Sequence, residues 1–247
     1  MIILIINKFS RLKNGMYKLL LEDGNEIVVH EEYILKNELL ITKKIDDKDV
    51  NNIDKINNNF NAYDLAVKYI SVKYRSCYEV HEYLLNKEVD KVVIHEVIEK
   101  LKNQKYLDDL VYAKAFVNDR IKFSNNGPYK IKRELEEKRV SSSIIDDVLD
   151  IFDNSLEIEK LNRLVPKYVK TIRNKSYSMM KNKVCDYFVN LGYSKSLVID
   201  ILSDIEYDDS GAREKEYNRL YNKLSKKYSG VELEYKIKQN LYKNGYK

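Results

Sequence analysis

Residues 106–135 read YLDDLVYAKAFVNDRIKFSNNGPYKIKREL, and this stretch supplies the template for most of the chain. From Ile131 an apolar ladder continues to Leu135, Val140, Ile145, Val148, Leu149 and Phe152. The same spacing recurs upstream as Val80, Leu84, Val89, Ile94, Val97, Ile98 and Leu101, and downstream as Val184, Phe188, Tyr193, Val198, Ile201, Leu202 and Ile205. A shortened copy, Ile237, Leu241 and Tyr246, closes the sequence. The intervals from Val80 to Ile131, Val184 and Ile237 are 51, 53 and 53 residues. Repetition at such a period marks an array of supersecondary units, each burying an apolar face against its neighbours.

The composition agrees with long helices bearing solvated faces: 34 % of residues are charged, with only 7 glycines and 2 prolines among 247. The expected architecture is mainly α, with tandem three-helix repeats forming an elongated curved array behind a small N-terminal β-strand region. Residues 1–153 carry 25 Lys and Arg against 27 Asp and Glu, whereas residues 154–247 carry 19 against 12, so the basic excess is C-terminal. That asymmetry suits an anionic partner such as nucleic acid. Cys77 and Cys185 lie far apart at no metal-ligand spacing and read as free thiols of a reducing compartment. The apolar opening, Met1–Ile6, lacks the basic flank and cleavage site of a signal peptide, and no run approaches the roughly 20 apolar residues of a membrane span. A cytoplasmic monomer with no membrane contact is the expectation.

In chain order, 1–45 is the β region, with three short strands at most and a hairpin turn at Asp23, Gly24 and Asn25. Residues 46–61 read as a linker helix, broken or frayed at the cluster Asn57, Asn58, Asn59 and Asn61, because Asn side chains compete for backbone groups. Three-helix repeats occupy 62–107, 108–153 and 154–207, and a partial fourth of two helices occupies 208–247. Ser76 with Glu79 forms a capping box, Asp90 caps the next helix, and Asp108 or Asp109 caps the helix ending near Phe123. Gly127 and Pro128 announce another helix start. Pro166 predicts a kink or a late start in the third repeat, and Leu156 and Asp208–Gly211 read as linkers.

Little here suggests catalysis. The adjacent Asp108 and Asp109 suit capping better than acid–base work, because neighbouring residues at a helix start point in different directions. His30, His81 and His95 are too scattered for a metal site, and neither a phosphate-cradling glycine loop nor a nucleophile elbow occurs. A non-enzymatic protein with no cofactor and no metal is expected. The best candidate surface is the stripe Lys160, Arg163, Lys167, Lys170 and Arg173, spaced to fall along one side of a helix. Its competing reading is an ordinary solvated face. Arg75, Arg120, Lys130 and Arg133 are further candidates, though Glu134, Glu136 and Glu137 follow directly and can pair with the last two.

Arg75, Ser76, Glu79 and Val80, then Tyr106, Leu107, Asp108, Asp109, Tyr112, Ala113, Phe116, Val117 and Arg120, then Gly127, Ile131, Glu134 and Leu135 together resemble the RecX family of regulatory proteins. The motifs are densest through residues 62–152, and the ladder carries on beyond them. The resemblance implies structural roles for Ser76, Glu79, Leu107, Asp108, Asp109, Ala113, Phe116, Gly127 and Leu135. It further implies a modulator of the RecA recombinase, with repeats that bind the RecA filament on DNA and inhibit its ATPase and strand exchange in DNA repair and recombination within the SOS response. Weak, non-specific contact with single- or double-stranded DNA would accompany this. One departure is Arg139, where the family commonly has glycine before the apolar residue. A different class of reading is a stand-alone DNA-binding protein of helix-turn-helix type, but the third helices show acids where base-reading side chains would be needed. A helical scaffold for an unrelated protein partner is a third.

Overall fold

The computed structural model describes residues 2–246. The chain begins with β1 (Ile3–Arg11), β2 (Met16–Leu21) and β3 (Glu26–His30), followed by α1 (Glu31–Lys36), α2 (Leu39–Thr42), β4 (Lys44–Asp46) and α3 (Asp47–Asn51). Every strand pair is antiparallel and the sheet order is β3-β2-β1-β4. The sheet therefore has four strands rather than three at most. β4 was not legible because only Ile45 in it is apolar, and its strand character rests on pairing with Ile3–Ile5. Ile6, Leu19, Leu21, Val29 and Ile45 of β4 bury one face of the sheet against Tyr33, Ile34 and Leu39.

Next comes α4 (Ile53–Ile70), a single helix running straight through the asparagine cluster where a break was expected. The reason is specific. Asn57 is buried; its Oδ1 accepts from His30 N at 2.9 Å and its Nδ2 donates to Val28 O at 2.8 Å. The side chain thus serves β3 instead of competing for the backbone of its own helix. The boundary expected between 61 and 62 falls inside α4.

The first repeat adds α5 (Cys77–Leu85) and α6 (Lys91–Asn103), the second α7 (Asp109–Phe123), α8 (Pro128–Glu137) and α9 (Ser142–Leu149). The third has α10 (Asn154–Val169), α11 (Tyr177–Asn190) and α12 (Lys195–Ser203), and the last α13 (Ser210–Leu224) and α14 (Gly230–Lys243). Start signals read from sequence operate as capping chemistry. The Ser76 hydroxyl accepts from Glu79 N while the Glu79 carboxylate accepts from Ser76 N, and Asp90 accepts from Val92 N at 2.8 Å. Asp108 accepts from Leu110 N and Val111 N, and Ser141 from Ile144 N. Two expectations change in the third repeat. Asp153 caps α10 by accepting from Leu156 N, so Leu156 is helical rather than a linker. Nor is the start delayed by Pro166, which sits in the last turn, where its missing N–H removes a single intrahelical bond.

The ladders are the core. Val80, Leu84, Ile94, Val97 and Leu101 join Ala62 and Ala66 in one cluster; Val184, Phe188, Tyr193, Val198 and Leu202 join Leu161, Val165 and Met180 in another; Ile237, Leu241 and Tyr246 pack with Leu220 and Leu233. Ile131, Leu135, Ile145 and Val148 are fully buried. The eighth residue after each ladder start has a positive φ: Glu88 (61°), Arg139 (53°), Gly192 (89°) and Gly245 (78°). That residue ends the second helix of its repeat in a left-handed turn, after which Val89, Tyr193 and Tyr246 donate to the carbonyls of Leu84, Phe188 and Leu241. The glycine missing at Arg139 is thus a backbone matter.

The chain divides into two compact units, one holding the chain to Tyr112 together with Lys138–Val140, the other Ala113–Glu137 and residues from Ser141 onward. Among the described residues no helix is long and apolar enough to cross a membrane, and no group of three or more His, Cys, Asp or Glu is placed to hold a metal.

Candidate functional site

In the first unit, Arg75 is engaged inside the protein. Its guanidinium lies 4.0 Å from the Tyr69 ring centroid and 3.7 Å from Glu79, with only 15 % of the side chain exposed. Glu79 also meets Lys138 at 3.5 Å, and Arg139 lies over the Tyr78 ring at 4.8 Å. Arg75, a candidate partner contact, therefore organises the start of α5, with its charge engaged by Glu79 and the Tyr69 ring. Asp108 caps its own helix, but Asp109 reaches across to accept from Cys77 N at 2.8 Å, capping α5 from the next repeat. Burial and the adjacent Asp109 push the Cys77 thiol up to about 12, so it stays protonated and unreactive at neutral pH. Leu107 is a core residue here, as Ala113 and Leu135 are in the second unit.

A cavity of about 770 Å³ in this unit is lined by Glu32, Lys36, Glu96 and Lys100 among apolar groups and two asparagines, two acids against two bases with no net preference for an anion. The third helices expose acids as well: Glu96 of α6 accepts from Asn59, and in the second unit Asp146 of α9 pairs with Lys132 at 3.0 Å. The middle of each helix shows acids, Glu96 and Asp146, where a helix-turn-helix reader would need base-reading side chains.

In the second unit, Arg120 Nε donates to Glu134 at 2.6 Å and its guanidinium covers Phe116 at 4.5 Å. Arg133 is exposed and Lys130 half-buried, and neither has an ion-pair partner. Gly127 N donates to Leu191 O at 2.7 Å and Tyr129 N to Gly192 O at 3.1 Å, so α8 starts directly against the left-handed turn of the third repeat. A Cβ on Gly127 would lie 2.5 Å from Gly192 O. α11 starts in the same manner against the fourth repeat: Ser176 Oγ donates to Asn244 O at 2.7 Å, and Tyr177 N donates to Asp209 at 2.8 Å. Sequence reasoning missed Asp209, which repeats the service Asp109 gives to Cys77, and Glu157, a buried carboxylate that accepts from Ser194 N.

One end of the five-cation stripe lies in the interior. Lys160 is only 4 % exposed; its ammonium donates to Ile121 O at 2.9 Å and Ser124 O at 3.2 Å, closing the C-terminal end of α7, and lies over Phe152. Burial, and secondarily Arg163, lower its pKa. Arg163, Lys167, Lys170 and Arg173 are exposed, Lys170 as the C-cap of α10 and Arg173 beyond the helix. Residues 160–195 contain nine Lys and Arg and a single acid, Asp186. None of these nine forms an ion pair among the described residues. Seven of the nine, all but Lys160 and Lys181, are exposed, so this stretch presents a surface mostly of one charge sign.

Models of the first and second three-helix domains of RecX match residues 62–101 and 108–149. The regulatory protein RecX of Bacillus cereus is 33 % identical over 223 residues, covering 88 % of this chain and 82 % of that protein. The chain belongs to the RecX family. Another RecX regulatory protein, from Streptococcus pneumoniae, is 30 % identical over 241 residues, 95 % of this chain and 92 % of its own length. A crystal structure of regulatory protein RecX superposes with a TM-score of 0.72 at 25 % identity over 81 % of this chain and 100 % of that one. RecX from Lactobacillus salivarius gives 0.56 at 26 % identity, over 60 % of this chain and 96 % of its own. The RecX domain matches fall on the first two repeats, while Arg163, Lys167, Lys170 and Arg173 fall on the third.

Proposed function

We propose that this RecX-family chain is a non-enzymatic regulator that docks on the RecA filament on DNA and inhibits its ATPase and strand exchange. The repeats 62–107, 108–153, 154–207 and 208–247 are its contact units. The observation that carries the reading is the set of exposed, unpaired cations Arg163, Lys167, Lys170 and Arg173 in a protein of this family. A row of similar units adds many modest contacts along a repeating partner, and a surface of one charge sign adds attraction to the phosphates within it.

The test is ssDNA-dependent ATP hydrolysis by the cognate RecA, which this protein should suppress at micromolar concentration. Unchanged hydrolysis at saturating protein overturns the inhibitory reading. Reversing Arg163, Lys167 and Lys170 to Glu should flatten the salt dependence of binding by roughly 2 in log–log slope, about 0.7 for each phosphate contact on a single strand. A gel shift should favour RecA-coated single strands over naked duplex, and equal retardation of both would return the protein to the class of stand-alone DNA binders.

A further inference from the structure

The first three repeats treat the seam between their first and second helices differently. In the first, Tyr69 stacks on Tyr83 with centroids 4.0 Å apart and planes 3° from parallel. Arg75 lies over Tyr69 and Lys87 over Tyr83, at 4.0 and 5.8 Å, so each ring carries a cation. In the second, Phe116 takes the guanidinium of Arg120, which Glu134 holds in place. Glu134, Tyr83 and Tyr187 all stand three residues after their ladder starts. In the third repeat the tyrosine pair returns: Tyr168 stacks on Tyr187 at 4.0 Å and 12°. No cation covers either ring among the described residues, and Leu191 occupies the ladder position that Lys87 holds in the first repeat. The pair instead opens on a cleft of about 230 Å³, lined also by Asn125, Lys167 and Thr171.

We propose that this cleft is a stacking slot for one unpaired nucleobase of a single-stranded nucleic acid, with Lys167 and its neighbours on the flanking phosphates. The slot deepens the proposed function and rests on its basic surface. A planar group is called for because parallel aromatic rings gain most from another flat π system or a guanidinium. Charge chooses between these two. Apart from the buried Lys160, residues 160–195 carry eight Lys and Arg against one acid, which disfavours an incoming guanidinium and favours a ring carried on a polyanion. A single strand is required because duplex bases are already stacked on one another, whereas splayed bases stack readily on exposed tyrosines. Asn125 supplies an amide at the rim for the base edge.

The experiment compares, by fluorescence anisotropy on the full chain, a labelled oligothymidylate of about 20 nucleotides with an abasic strand of the same length and charge. The base-bearing strand should bind about tenfold more tightly, with the same salt slope for both. Thr171→Arg fills the slot as Arg75 fills its counterpart, and should abolish the difference between strands, while its added charge leaves abasic binding at least as tight. Thr171 is exposed and its hydroxyl bonds only the carbonyl of Tyr168, to which its backbone N–H also donates, so the change leaves the core and that turn in place. Equal affinities with a normal salt slope would overturn the slot and leave the basic surface standing. Salt-independent or absent binding of both strands would overturn the surface and the slot together. A labelled Gly-Arg peptide that binds the wild-type chain and not Thr171→Arg would replace the base with a guanidinium, and so overturn the proposal.

Discussion

The first and third repeats share one ladder and one stacked tyrosine pair, yet they are finished in opposite ways. The first covers its tyrosines with Arg75 and Lys87 and turns after its second helix on Glu88; the third leaves its tyrosines open and turns on Gly192. The difference lies in what approaches each turn. Gly192 has the backbone of α8 against it, so that a Cβ would stand 2.3 Å from Lys130 N, whereas Glu88 is exposed and keeps its side chain. A common apolar core thus tolerates different surfaces, and the two repeats can be used for different purposes.

The largest test of that contrast is Gly192→Ala. Strain at φ 89° and backbone overlap should together remove about 3 kcal/mol, or roughly 6–12 °C of Tm, while Glu88→Ala changes almost nothing. Similar melting of both variants would mean the close approach is unimportant. Next is Lys160→Met, which keeps the buried stem but strands the carbonyls of Ile121 and Ser124. It should destabilise by about 2 kcal/mol in urea unfolding, whereas an unchanged midpoint would return Lys160 to the exposed stripe. Ser176→Ala loses both the cap on Met179 N and the bond to Asn244 O, and should cost about 2 kcal/mol. Ser76→Ala loses one cap and should cost about 1. Equal losses would argue against the bond to the fourth repeat. The smallest effect belongs to Arg139→Gly. Relief of a left-handed non-glycine, about 1 kcal/mol, should nearly offset the lost contact with Tyr78, so that thermal melts agree within a degree or two.

Much of this architecture was legible because helical arrays write their cores at a fixed spacing. The ladder from Ile131 to Phe152 identified most of the buried positions on the second and third helices of the repeats, and Ser76, Asp90 and Asp108 gave helix starts through local chemistry alone. Expectations failed where a polar side chain works for a distant partner. Asn57 looked like a helix breaker and instead serves β3; Lys160 looked like a surface cation and closes α7; Asp109 looked like a cap for its own helix and caps another. Of the basic surface, the exposed members Arg163, Lys167, Lys170 and Arg173 could be guessed from periodicity. The open tyrosine pair could not, since a stack depends on where two helices meet.

By itself the sequence determined the repeat, its period and its apolar faces, because burial of a helix face leaves a periodic trace along one strand of text. It also determined that the positive charge gathers in the C-terminal part. Only the tertiary structure decided which cations remain free, which carboxylate caps which helix, and that Tyr168 and Tyr187 face a cleft with no cation over them. Those outcomes depend on side chains 14 to 68 residues apart being brought within hydrogen-bond reach, as Arg120 is to Glu134 and Ser176 to Asn244, and no local spacing encodes such a meeting.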